Sequence, residues 1–106
     1  MDILKYLVEL IGTCLFVYVV LKVTGVGANG EGAINMGVGA PLVIVLTLLG
    51  MIFAGMAIGD CHFNPAITVG KFMQGSCDVN HMIGYIGVQL IGALLAFKLW
   101  QMTVKK

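Results

Sequence analysis

Gly59-Asp60-Cys61-His62-Phe63-Asn64-Pro65-Ala66-Ile67-Thr68 is the stretch whose reading decides what this chain can be. An Asn followed by a Pro is a helix-start pairing. The Asn side chain accepts a bond from an N–H of the first turn, and Pro at the first helical position lacks an N–H that would have had no intrahelical partner anyway. The helix opening at Pro65 runs only to Gly75, a residue that stops helices. About nine residues at ~1.5 Å each reach roughly 13 Å, near half the hydrocarbon thickness of a bilayer. Such a helix either lies on a membrane surface or enters the membrane part way. Lys71 near its far end suits the negative pole of a helix dipole and reaches the interface by snorkelling.

Composition makes the bilayer the right frame. Hydrophobic residues make up 59% of the chain and charged residues 10%, with a mean hydropathy of +1.02. Those values lie far outside the range of a soluble domain of this length. A chain of 106 residues is one domain at most. Spans of about 20 residues use most of it and leave no room for a soluble catalytic domain. The net charge of +1 is scattered, so no basic patch speaks for nucleic acid. Cys14, Cys61 and Cys77 are odd in number and fall in or beside apolar segments, which argues against a disulfide framework. Cys77 and His81 are four apart and raise a metal site with Cys61 and His62, but adjacent Cys61 and His62 are not a usual ligand spacing. Neither metal nor cofactor is expected. With no nucleophile beside a base, no phosphate loop and no paired carboxylates, neither is an enzyme.

Three apolar runs read as spans, at about residues 3–21, 41–59 and 80–103, with the short helix at about 65–74. The first is broken only by Lys5 and Glu9. A secretory signal is its rival reading, but the apolar stretch is long and no small-x-small cleavage site follows at a suitable distance. Residues 25–39 are rich in glycine, carry Asn29, Glu31 and Asn35, and read as a polar loop outside the hydrocarbon. Pro41 opens an uncharged second run in which Gly55 and Gly59, with Ala54 and Ala57 beside them, offer a close-packing face. Ser76, Asp78 and Asn80 offer caps for the last helix, which is free of charge from Met82 to Phe97. Tyr85 and Trp100 read as interfacial belt residues, Lys98, Lys105 and Lys106 mark water, and Gly92 with Ala96 repeats the small-residue spacing.

The quoted stretch resembles the first-repeat signature of the aquaporin and glycerol-facilitator family, usually written SerGly-x-His-x-AsnProAla-Val-Thr. The likeness extends beyond it. Glu9 with Gly12 and Thr13 resembles the first-helix Glu and Gly-Thr of that family. Pro41 stands where its second helix opens, and Tyr85, Gln89, Gly92 and Ala93 resemble its third-helix pattern. Nearly the whole chain is covered, but only one of the family's two inverted repeats. The resemblance implies an all-α membrane protein of three transmembrane helices plus one re-entrant half-helix, half of an aquaporin-like bundle. It implies pore positions at Asn64, Pro65, Ala66, Ile44 and Ile67, with His62 at the pore or supporting the loop. Glu9 and Gln89 would brace the re-entrant loop, Glu9 by accepting from backbone around residues 60–64. The family's second repeat follows AsnProAla with an Arg that builds a filter; Ile67 stands there in this chain, which has no Arg anywhere. Ile44 occupies the position of a frequent filter aromatic. The resemblance implies that the usual constriction of aromatic and Arg cannot be assembled from these residues alone.

The function expected is a passive channel for water or small uncharged solutes such as glycerol. A half-helix dipping into a membrane aims free N–H groups and a positive dipole end at the bilayer centre, where they must line a polar cavity. Asn64 can then offer its amide N–H to a solute oxygen, while a cation is repelled. One repeat cannot enclose a pore, so two or more copies are expected to associate, as an antiparallel dimer around a twofold axis in the membrane plane. Lys5 and Lys71 on one side against Lys22, Lys98, Lys105 and Lys106 on the other is a weak enough bias to permit both insertions. The alternatives are a non-conducting subunit or fragment that associates with a full-length relative and, with less support, an ion or proton channel.

Overall fold

A computed structural model of the chain describes residues 2–24 and 39–103, and every regular element in them is an α-helix. These are α1 (Asp2–Thr24), α2 (Gly39–Gly55), α3 (Pro65–Gln74) and α4 (Val79–Thr103). The glycine-rich loop expected at 25–39, Gly39 apart, and the expected water-marking Lys105 and Lys106 lie outside the described residues. Among the described residues two helices are long and apolar enough to cross a membrane, Ile3–Thr24 with a mean hydropathy of 2.0 and Val79–Thr103 with 1.7. α2 is apolar throughout and 17 residues long, about 25 Å of helix.

α1 lies chiefly along α4, with α2 against its other flank and α3 against α4. Small residues set the α1–α4 distance. A Cβ added to Gly92 would stand 2.9 Å from the carbonyl oxygen of Leu10 and 3.2 Å from the backbone nitrogen of Cys14, so glycine there lets the two backbones meet. Tyr18 and Thr103 hydroxyls, 3.0 Å apart, join the same helices at their other ends. Ala96 on α4 is wholly buried, four residues beyond Gly92.

Three sequence expectations differ from what is observed. α1 continues to Thr24, beyond the expected end near residue 21. α2 begins at Gly39 and ends at Gly55, not near residue 59, because the chain there must turn toward the loop before α3. Gly55 is buried against the Cys61 sulfur and Val8, and the N–H groups of Ile58 and Gly59 both fold back onto its carbonyl at 2.9 Å. Gly59 therefore lies off the helix, and no Gly55/Gly59 helix face exists. Tyr85 is not a belt residue: it has no exposed surface, and its hydroxyl donates to Asp60 Oδ2 at 2.6 Å. Its ring meets Tyr6, His62 and His81 edge-on, which draws it into the interior.

Candidate functional site

α3 starts at Asn64, whose backbone is extended (φ −158°, ψ 125°) while its side-chain Oδ1 accepts the N–H of Ala66 at 2.8 Å. With Pro65 at the first helical position, the N-terminus is closed by its own sequence. With Oδ1 on the backbone N–H, the Nδ2 amide group of this exposed residue donates to nothing among the described residues. Pro65 is half-buried, Ala66 exposed, and Ile67 49% exposed. At the other end Gly75, at φ 88°, closes the helix with its N–H on Phe72, while Ser76 N–H bonds Lys71 carbonyl at 3.0 Å.

The loop leading to Asn64 is held from α1. Cys61 and Phe63 both adopt φ 56°, a left-handed conformation unfavourable for non-glycine residues. Glu9 overcomes it by taking two successive N–H groups, His62 on Oε2 and Phe63 on Oε1, each at 2.8 Å. A third donor, Gln89 Nε2 from α4, reaches Glu9 Oε1 at 3.0 Å and Thr68 Oγ1 at 2.9 Å. Thr68 in turn lies 2.9 Å from His62 Nδ1 and 3.3 Å from the Asn64 carbonyl, to which its hydroxyl can donate. Glu9 and Thr68 have no exposed surface and Gln89 has 1%. A fully buried carboxylate is costly, and three N–H donors, each worth about 1.5–3 kcal/mol when the acceptor is charged, are what offset that cost. One brace thus ties α1, the loop, α3 and α4 behind the exposed Asn64 amide.

Phe63 closes the loop onto α1. A Cβ on Gly12 would fall 2.1 Å from Phe63 Cε1, so only glycine leaves space for that ring. At the outer end of the loop, Lys5, Asp60, Ser76, Cys77, Asp78 and His81 surround a polar cavity of about 250 Å³. Asp78 caps α4 with Oδ1 on the His81 N–H at 2.8 Å and on His81 Nδ1 at the same distance. That backbone bond first, then the side-chain one, holds its carboxyl below the usual range. Partial burial, then the neighbouring Asp78 charge, raises the Cys77 thiol.

The structure brings His62, Glu9 and Gln89 together behind Asn64, and places Ile67 on α3 and half-buried Ile44 on α2. α2 and α3 make no contact among the described residues, so Ile44 and Ile67 are not brought together. His62 is engaged by Thr68 on one ring nitrogen, and the Cys61 thiol turns to the carbonyls of Ile52 and Gly59. Among the described residues no three His, Cys, Asp or Glu side chains converge as a metal site would require. Sequence reasoning passed over Thr68, Phe63 and Asp60. The signal for Thr68 was present, a polar residue four beyond Asn64 in a short helix. Thr13 Oγ1 and Gln89 Oε1 are buried with no partner among the described residues.

A family model described as major intrinsic protein matches residues 2–106. The chain is similar to aquaporin Z of Bradyrhizobium diazoefficiens, 34% identical over 100 residues that cover 93% of this chain and 41% of the relative. It is similar to aquaporin Z of Photorhabdus laumondii, 39% identical over 93 residues that cover 87% of this chain and 40% of the relative. It also resembles glycerol uptake facilitator protein-like 6 of Lactiplantibacillus plantarum, 35% identical over 92 residues, with 87% and 40% covered. The chain therefore spans about two fifths of the length of the curated relatives it matches. No solved structure matches it.

Proposed function

Because the chain belongs to the major intrinsic protein family, whose members are channels and not enzymes, we propose that it forms half of a passive transmembrane channel for water and small uncharged solutes such as glycerol. In this reading α1, α2 and α4 span the membrane and α3 is a re-entrant half-helix. The observation that carries it is the Asn64 geometry. Its Oδ1 accepts the Ala66 N–H, which leaves both N–H donors of its amide without a partner among the described residues, exposed at the positive end of α3. A neutral solute oxygen accepts from such a group, whereas a cation is repelled by the positive dipole end of α3. The brace through Glu9, His62, Thr68 and Gln89 supports the same reading, since it holds the amide in place without using its N–H groups.

Exposed donors at membrane depth require a cavity walled on its far side. We assign that wall to a second unit of the same kind in the opposite orientation, so that two Asn64 side chains face each other across a twofold axis in the membrane plane. The relatives' names, aquaporin Z and glycerol uptake facilitator, agree with water and a small polyol as solutes. A second reading, a subunit completed by a full-length relative, draws on the two-fifths coverage; purification as a strict homo-oligomer decides against it.

Stopped-flow shrinkage of vesicles holding only this polypeptide tests the function. Asn64→Asp keeps an acceptor for Ala66 N–H and removes the outward donor, so water permeability falls by about tenfold, the loss of roughly 1.4 kcal/mol. Undiminished flux in that variant overturns the assignment. Cysteine labelling that finds every C-terminus on one side overturns the antiparallel arrangement.

A further inference from the structure

We propose that Lys71 is a specificity-determining residue of the pore, setting the positive charge of its vestibule; this rests on α3 lining a channel as read above. Asn64, Ile67, Lys71 and Gln74 follow the three- and four-residue steps that keep side chains on one face of a helix, and all are exposed. Thr68, on the adjoining flank, is buried toward α4. The stripe beginning with the Asn64 amide therefore runs through an apolar turn at Ile67 and arrives at an ammonium group. Seven residues of helix separate the two, about 10 Å. Between Cys61 and Cys77, Lys71 is the one residue of the types Lys, Arg, Asp and Glu.

The Lys71 side chain does not cap its own helix. The last carbonyls of α3, which a lysine often caps, are already taken: Gly75 N–H bonds Phe72, and both Ser76 N–H and Ser76 Oγ bond Lys71 carbonyl. Its Nζ makes one hydrogen bond, to Gln74 Oε1 at 3.2 Å, which tethers the head along the stripe and leaves further N–H groups for solvent. A lysine so held presents a point charge on the path that a solute takes to Asn64. It repels cations and hydronium one helix length before the dipole end does, and it offers a hydroxyl-bearing solute a first donor. In an antiparallel pair the twofold axis puts one such charge in each mouth.

The test compares Lys71→Gln, Lys71→Glu and Lys71→Arg in sealed vesicles, measuring water flux and potassium or proton leak in the same preparation. The ratio of cation leak to water flux rises about tenfold in Lys71→Gln, further in Lys71→Glu, and returns to the parent value in Lys71→Arg, as a charge effect requires. A folding role alone would change both fluxes together and leave the ratio fixed. An unchanged ratio in Gln and Glu variants that still conduct water overturns the Lys71 assignment and leaves the channel standing. No water flux from the parent chain overturns both.

Discussion

Glu9→Gln removes one charge and one acceptor while preserving shape, which makes it a sharp probe of the brace. In the parent, three N–H groups converge on the carboxylate: His62 on Oε2, and Phe63 and Gln89 on Oε1. A glutamine keeps more of them by placing its oxygen at the Oε1 position, which retains Phe63 and Gln89 and sets its NH2 against the His62 N–H. That orphaned buried donor costs about 1–3 kcal/mol. The two surviving bonds fall from charged to neutral strength, a further loss of roughly 1–3 kcal/mol, most of which is offset by no longer burying a charge. The net destabilisation is about 2 kcal/mol, equivalent to roughly a 30-fold shift in the opening equilibrium. Unfolding by titration of sodium dodecyl sulfate into mild detergent micelles, followed by circular dichroism, reads the global loss. Amide exchange reads the local one, with His62 accelerating more than Phe63. Stability within about 0.5 kcal/mol of the parent and equal protection at His62 would refute the carboxylate as the acceptor that holds this loop.

Gly12→Ala forces a methyl group to within 2.1 Å of the Phe63 ring, and the left-handed Phe63 backbone leaves the ring little freedom to retreat. A destabilisation of about 1–3 kcal/mol follows, and Phe63→Leu in the same chain restores part of it in the detergent titration. Asp78 has a folded pKa below its unfolded one, so its contribution is present above the ordinary carboxylate range and is lost as pH falls through the lowered value. Amide exchange at His81, corrected for its intrinsic pH dependence, therefore stays slow down to that range and quickens below it. Asp78→Asn, which still caps but does not titrate, flattens the response.

The local signals in this sequence were the readable ones. Asn64 before Pro65, Gly75 at the end of a short apolar helix, and Asp78 before α4 each act through neighbours within four residues, and each closes the helix end its chemistry suits. The end of α2 was not readable in this way. An apolar run with scattered glycine and alanine continues smoothly to Ile58, whereas the helix ends at Gly55, where the N–H groups of Ile58 and Gly59 turn back onto the Gly55 carbonyl beside Val8 and Cys61. Tyr85 misled for a related reason: an aromatic near the end of a span matches an interfacial belt, and only the partner Asp60, 25 residues earlier, shows it to be interior. The bonds from Glu9 cross 53 and 54 residues to the loop and 80 to α4, and no periodicity or spacing encodes a contact of that range. An ionisable group inside an apolar run announces that a partner exists without naming it.

Those separations also translate into time. A ribosome adding about 5–20 residues per second makes Glu9 roughly 3–10 s before His62 and roughly 4–16 s before Gln89, given the 53- and 80-residue intervals. For that interval α1 carries an acid whose eventual donors have not yet been synthesised; with α1 as a span, as proposed above, such an acid disfavours insertion by up to about 3 kcal/mol. Of the helices described, α1 is made before the others and is thus the last to settle. If α1 spans the bilayer as proposed above, its commitment waits on the segments that will bond to it, and insertion of α1 and folding of the described helices become a single event.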